Sequence, residues 1–149
     1  MHSGGTGGIQ TSAIQSTRIG GAAKMVSVDR GEFKQKLARQ LSATHKAAIV
    51  VDALNLLRHL TYGIMADAVV ISPLLIVSDN VHYALMLPCK SGVSVLTGMA
   101  SQLTWPIKID LQDLTPMNKM LAGNVFSSHN PQEDIFRLAR IYPRQAKYS

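Results

Sequence analysis

Three apolar runs decide how this chain reads: AVVISPLLIV (Ala68–Val77), VHYALML (Val81–Leu87) and VSVLTG (Val93–Gly98). Each is rich in β-branched and aliphatic side chains, which suit a pleated, half-buried surface. They are separated by SDN (Ser78–Asn80) and CKSG (Cys89–Gly92), short polar clusters with turn chemistry. Runs and links of this length predict an antiparallel meander. Pro73 predicts a bulge or an edge position in the first run, because it has no N–H to give a ladder. A fourth strand is expected in TWPIKIDLQD (Thr104–Asp113), where Ile107, Ile109 and Leu111 alternate with Lys108 and Asp110.

Upstream the period changes. Asp29 reads as a helix N-cap, with Glu32 completing a capping box. Phe33, Leu37, Leu41, Thr44, Ala48 and Val51 then recur every three or four residues, while Arg39 and Lys46 point the other way. This predicts a helix over about 30–44. Beyond it Ile49 and Val50 leave the stripe, so 47–57 reads as either helix or strand. Downstream, Thr115 and Pro116 open a short helix that Gly123 ends. A last helix has Asn130 as cap, Pro131 at its start, Glu133 and Asp134 in the first turn, and Pro143 as its stop.

Residues 1–26 are dominated by Gly, Ser and Thr with few large apolar side chains, so an extended basic arm is expected there. Residues 27–149 are expected to form one domain. The fold class that follows is α+β: an N-terminal helix or helices, an antiparallel sheet of about four strands and a C-terminal helix, with the arm extended.

At 149 residues and 46% hydrophobic, the chain can bury one real core. No run reaches the roughly 18 uncharged apolar residues of a membrane span. The start, MHSGGTGGIQ, has neither a secretory nor a transit-peptide pattern, so a cytoplasmic protein or a component of a virion or other large particle is expected. Cys89 is the only cysteine, which excludes an internal disulfide and a thiolate metal site. Seven cations face Asp29 and Glu32 in the first 46 residues, so +5 of the +6 formal net charge lies there. Such a balance draws nucleic acid or an acidic protein face. The candidate contacts are Arg18, Lys24, Lys34, Lys36, Arg39 and Lys46, joined at the other end by Arg137, Arg140, Arg144 and Lys147.

One stretch invites a catalytic reading, IVVDALNLLR (Ile49–Arg58). Asp52-Ala53-Leu54-Asn55 resembles the first motif of the NYN and PIN-like ribonuclease families. That resemblance implies a divalent metal held by Asp52 with Asp79, Asn55 positioning a ligand, and metal-bound water attacking a phosphodiester. At helical spacing, the same Asp52 and Asn55 lie on one face of a helix whose other side is core. Cys89 reads as a small buried hydrophobe rather than a nucleophile paired with His82. His45, His59 and His129 lack metal-ligand spacing, and Trp105 and Tyr83 read as core. The glycines of SGGTGGIQTS (Ser3–Ser12) and RIGGAAK (Arg18–Lys24) do not fit G-x-x-x-x-G-K-[ST], and neither group is expected to follow a strand.

Three functions are thus expected, in this order. The first is a non-enzymatic structural or interaction subunit of a larger assembly, viral or nucleoprotein in kind, anchored by its arm and contacting other subunits and copies of itself. The second is a basic nucleic-acid-binding module. The third is the metal-dependent ribonuclease. For the first two no cofactor, resident metal or catalytic residue is expected.

Overall fold

Parallel strands need a long crossover, and in this chain helices supply it. The computed structural model describes residues 2–3, 8–73, 75–100, 109–124 and 131–145. Along them run β1 (His2–Ser3), α1 (Gly8–Ile19), β2 (Val26–Val28), α2 (Glu32–Gln40), β3 (His45–Ala47), α3 (Val50–Leu60) and β4 (Ala66–Ile71). There follow β5 (Leu75–Ile76), α4 (Ser78–Met86), β6 (Pro88–Leu96), β7 (Met99–Ala100), α5 (Leu111–Leu114), β8 (Met120–Gly123) and α6 (Pro131–Gln145).

The main sheet has the order β3-β2-β1-β4-β6-β8, and each neighbouring pair in it is parallel. His2 lies between Ser27 of β2 and Val70 of β4, and Ser3 between Val28 and Ile71. From β1 the chain steps outward to β2 and β3, then returns to β4 beside β1 and steps outward the other way. That reversal is the mark of a doubly wound sheet. β5 and β7 form a separate parallel pair.

Two apolar layers cover the sheet. On one face Val26, Val28, Val69 and Ile71 pack with Ala53 and Leu57 of α3, Ala84 of α4, and Leu87. On the other, Ile14 of α1 packs with Ala38 of α2 and Ala43. Strands buried on both faces read as continuous hydrophobic runs, as the Val69–Ile71 end of β4 does, while Asp67 and Ala68 at its start are exposed.

The expected α+β fold with an antiparallel meander is therefore corrected to a doubly wound parallel one. VHYALML is not a strand but most of α4, which buries Val81, Ala84 and Leu85 at helical spacing. SDN is its first turn, where Asn80 Oδ1 accepts the Val77 N–H at 2.9 Å. CKSG lies inside β6, and Pro73 follows β4 instead of interrupting it. Of the expected fourth strand, residues 104–108 lie outside the described residues, Ile109 and Asp110 are in no strand, and Leu111–Leu114 is α5, capped by Asp110 Oδ1 on the Gln112 N–H at 2.9 Å. The short helix expected from Thr115 to Gly123 is replaced by β8, an edge strand.

The extended arm is corrected too. Residues 8–19 form α1, whose Ile14 is wholly buried, and β1 is the centre of the sheet. Burial on the sheet offsets an ordering cost that this segment could not meet alone. α2 is shorter than expected because the chain turns at Ser42, with φ at 88°, and feeds β3. The ambiguous 47–57 resolves into the end of β3 and most of α3. α6 continues through Pro143 to Gln145.

Candidate functional site

Open parallel sheets bind ligands outside the carboxyl ends of their strands, where the strand order reverses. Here those ends are Ser3, Val28, Ala47 and Ile71. Between β1 and α1 the sequence is Gly4-Gly5-Thr6-Gly7, of which the structure describes nothing, and α1 then opens at Gly8. A Cβ added at Gly8, the first residue of this 12-residue helix, would meet nothing within 4 Å among the described residues. Free N–H groups and the helix dipole make such an end receptive to anions.

Directly after β2 comes Asp29, with only 9% of its side chain exposed. Its Oδ1 accepts the Gly31 N–H at 2.8 Å, and its Oδ2 lies 3.7 Å from Lys34 Nζ. Gln35 Nε2 donates to the Asp29 backbone carbonyl at 2.6 Å, and the Asp29 N–H donates to Ala47 O at 3.2 Å. The carboxylate is thus fixed at the end of β2. Asp29, Arg30 and Lys34 form one side of a cavity of about 590 Å³. Ile49 and Val50, after β3, and Val77, before α4, give it apolar walls, and Asp79 stands at its α4 side. A flat apolar ring with a polar, hydroxylated attachment suits such walls and such a floor.

Of the residues singled out in the sequence, Asp29, Lys34 and Asp79 line this cavity, as does Tyr83, which also packs against the core. Asp52 and Asn55 are exposed on α3, and neither lines it. Among the described residues, no three His, Cys, Asp or Glu gather to hold a metal ion. Lys36, Arg39 and Lys46 are exposed on α2 and β3. Arg18 Nη1 donates to Ser42 Oγ at 2.5 Å and Lys24 Nζ to Leu60 O at 2.5 Å, contacts that stitch elements of the fold together. Arg137 and Arg140 are exposed on α6, Arg144 lies on the same helix, and Lys147 is outside the described residues. Cys89 donates to Lys90 O at 3.3 Å and lies 3.8 Å from Asp67 Oδ1. Desolvation, and then the Asp67 charge, push its thiol above the ordinary range, the reverse of an activated nucleophile.

The capping-box pattern at Asp29 and the P-loop pattern at the glycines both point away from this site. The signal that finds the site is Gly5-Thr6-Gly7-Gly8-Ile9-Gln10 followed about 20 residues later by an acid, the dinucleotide fingerprint with glutamine in its sixth place. Its strand is β1, two residues long and polar.

Comparison with known proteins agrees with this geometry. The NDMA-dependent alcohol dehydrogenase of Amycolatopsis methanolica is 36% identical over 138 residues, covering 93% of this chain and 37% of that protein. The relatives are alcohol dehydrogenases. The crystal structure of benzyl alcohol dehydrogenase from Acinetobacter calcoaceticus superposes with a TM-score of 0.84 at 25% identity, over 97% of this chain and 39% of that one. An alcohol dehydrogenase zinc-binding domain protein from Burkholderia ambifaria gives 0.82 at 23% identity, over 97% and 38%. No protein-family model matches. The chain spans somewhat over a third of the length of the relatives it matches.

These relatives overturn the expected non-enzymatic assembly subunit and the virion, structural and nucleic-acid-binding roles that went with it: the proteins this chain matches along nearly all its length are oxidoreductases. The ribonuclease reading goes the same way. No helix among the described residues is long and apolar enough to cross a membrane.

Proposed function

We propose that the chain is the nucleotide-binding lobe of an alcohol dehydrogenase and binds a nicotinamide dinucleotide across the carboxyl ends of β1, β2 and β4. The observation that carries this is Asp29, fixed by Gly31 at the end of β2 and facing the cavity. A carboxylate there accepts hydrogen bonds from the adenosine ribose hydroxyls and repels a 2′-phosphate, which favours NAD over NADP. Ile49, Val50 and Val77 flank the adenine, and Lys34 stands beside the ribose.

The residues present fit the group. The cavity has the size of a small-ligand site, and α1 begins at Gly8, within the glycines of the fingerprint. Ser72, next after β4, buries a hydroxyl oxygen that has no hydrogen-bond partner among the described residues, at the place where the strand order reverses. The dinucleotide, when bound, supplies the acceptor for hydride from an alcohol. This chain's part is to bind and orient it: Asp29 sets the ribose, the apolar walls set the ring plane, and the helix end faces the phosphates. The zinc named for a structural relative is a different matter, since the described residues gather no donor set for it and no step here runs through a metal. A cytoplasmic location belongs to the same proposal.

Titration of NADH, followed by its fluorescence, tests the reading. Wild-type protein should bind, and Asp29→Asn, which keeps an acceptor for Gly31, should weaken binding about tenfold, or ~1.4 kcal/mol. Absence of binding, or an unchanged affinity in the variant, refutes it.

A further inference from the structure

Two carboxylates line the cavity at the ends of β2 and β3, and they are not alike. Asp29 is held by the Gly31 N–H and by Lys34, and only 9% of its side chain is exposed. Asp79, in the first turn of α4, is exposed, and among the described residues no ion pair or hydrogen bond holds its carboxylate. An acid in a first turn has an ordinary reason to be there, since the positive end of the helix dipole favours it. That reason does not account for its place on a cavity wall. α4 brings Asp79, Asn80 and Tyr83 to the cavity together, residues that share one helical face.

Between the two acids the lining is apolar. Ile49, Val51 and Val77 are large side chains left exposed, and all three line the cavity. A flat ring laid against them covers apolar surface that water otherwise meets. With the ribose at Asp29, the ring runs from the end of β2 toward Val77 and the first turn of α4. There Asn80 has given its side-chain oxygen to the Val77 N–H at 2.9 Å, so it presents its amide hydrogens. The charged acceptor on this side is Asp79. Adenine has one strong donor, its 6-amino group, whereas a 6-oxopurine carries a carbonyl oxygen at the same place. A carboxylate attracts the first and repels the second. The N1–H of a 6-oxopurine lies one ring atom along, and it reaches the acid only if the ring slides out of the register that the ribose contact sets.

We infer that Asp79 is a specificity residue that accepts the 6-amino group of the bound base, so that the lobe selects 6-aminopurine dinucleotides over 6-oxopurine ones. The inference rests on the cofactor reading above, and it adds the group that tells one base from another. Because Asp79 is exposed, water competes for it and screens it, and the preference is about tenfold, well below what a fully buried hydrogen-bonding site reaches.

Calorimetric titration of the full chain with NADH and with its hypoxanthine analogue, reduced deamino-NAD, separates the outcomes. Wild-type protein should bind NADH about tenfold more tightly than the analogue. Asp79→Ala should bring the two Kd values within about twofold of each other, while Asp29→Asn should weaken both ligands alike and keep the preference. The ratio of the two Kd values is the readout, because removing a negative charge also eases the approach of any pyrophosphate. Equal binding of the two ligands by the wild type overturns the inference, and that comparison needs no variant to fold. So does an Asp79→Ala protein that keeps the wild-type preference. If the two ligands bind equally and both weaken in Asp29→Asn, base selection fails and the cofactor reading stands. If neither ligand binds the wild type, both fall together.

Discussion

The two halves of the sheet are built unequally. β1, β2 and β3 have 2, 3 and 3 residues, yet Asp29, Arg30, Ile49 and Val50, which follow β2 and β3, line most of the candidate cavity, with Val77, Asp79, Asn80 and Tyr83 closing it from α4. β4 and β6 have 6 and 9 residues and bring Val69, Ile71 and the neighbouring Leu87 fully into the core. In that second half the turn after β6 is pressed against the segment after β4: a Cβ on Gly98 would collide with the Pro73 carbonyl oxygen and come within 3.1 Å of Ile76 Cγ1. Lys119 Nζ also donates to Leu85 O at 2.6 Å, tying the approach to β8 to the end of α4. A ligand site at strand ends needs little strand, whereas a core needs long ones. Binding and stability should therefore separate along the sheet.

The largest effect should come from the second half. Leu87→Ala removes a wholly buried side chain and should cost about 2–5 kcal/mol in urea denaturation, with nucleotide affinity of the folded protein unchanged. Gly98→Val should cost about 1–3 kcal/mol by forcing Pro73 aside, seen as a lower thermal midpoint. In the first half the order reverses: Asp29→Asn should lose about tenfold in NADH affinity and less than about 1 kcal/mol of stability. Should Leu87→Ala abolish binding in protein that is still folded, the division between halves is wrong.

Cys89 sharpens the comparison chemically. Its raised pKa leaves less thiolate at any pH below that value, so labelling by a disulfide reagent at pH 8 should be slower than for free cysteine and should climb with further base. Asp67→Asn removes a neighbouring charge and should speed it. Smallest of all, Asp52→Ala on the exposed face of α3 should stay within about 0.5 kcal/mol and leave NADH binding unaltered.

Parts of this were legible in the residues. The spacing of Phe33 and Leu37 locates α2 but not its inner face, which is Gln35 and Ala38 while Phe33 is exposed; Pro131 with Glu133 and Asp134 marks the start of α6. What misleads is the middle. VHYALML is apolar nearly all round because α4 lies against the sheet, and a short buried helix and a buried strand share that composition. Strand direction is carried by the connection rather than by the strand, so once α4 reads as β the sheet becomes antiparallel by default. Asp29 was noticed for the wrong contact: its carboxylate meets Gly31 two residues on, while the N-cap Gly31 has no side chain to cap with. The glycines were weighed without a strand before them because β1 is polar and two residues long, and its place is set by β2 and β4 on either side.

That placement of β1 has a consequence for how the protein is made. His2 and Ser3 leave the ribosome well before Val70 and Ile71, the residues that close their second edge. Until β4 arrives, β1 can pair on one side only, and an open strand edge is a template for wrong partners. Closing such a long loop is slow. Newly made chain should therefore depend on chaperones most during the interval in which α3 is complete and β4 is not, and substitutions that delay β4 should lower yield in cells more than they lower the stability of the purified protein.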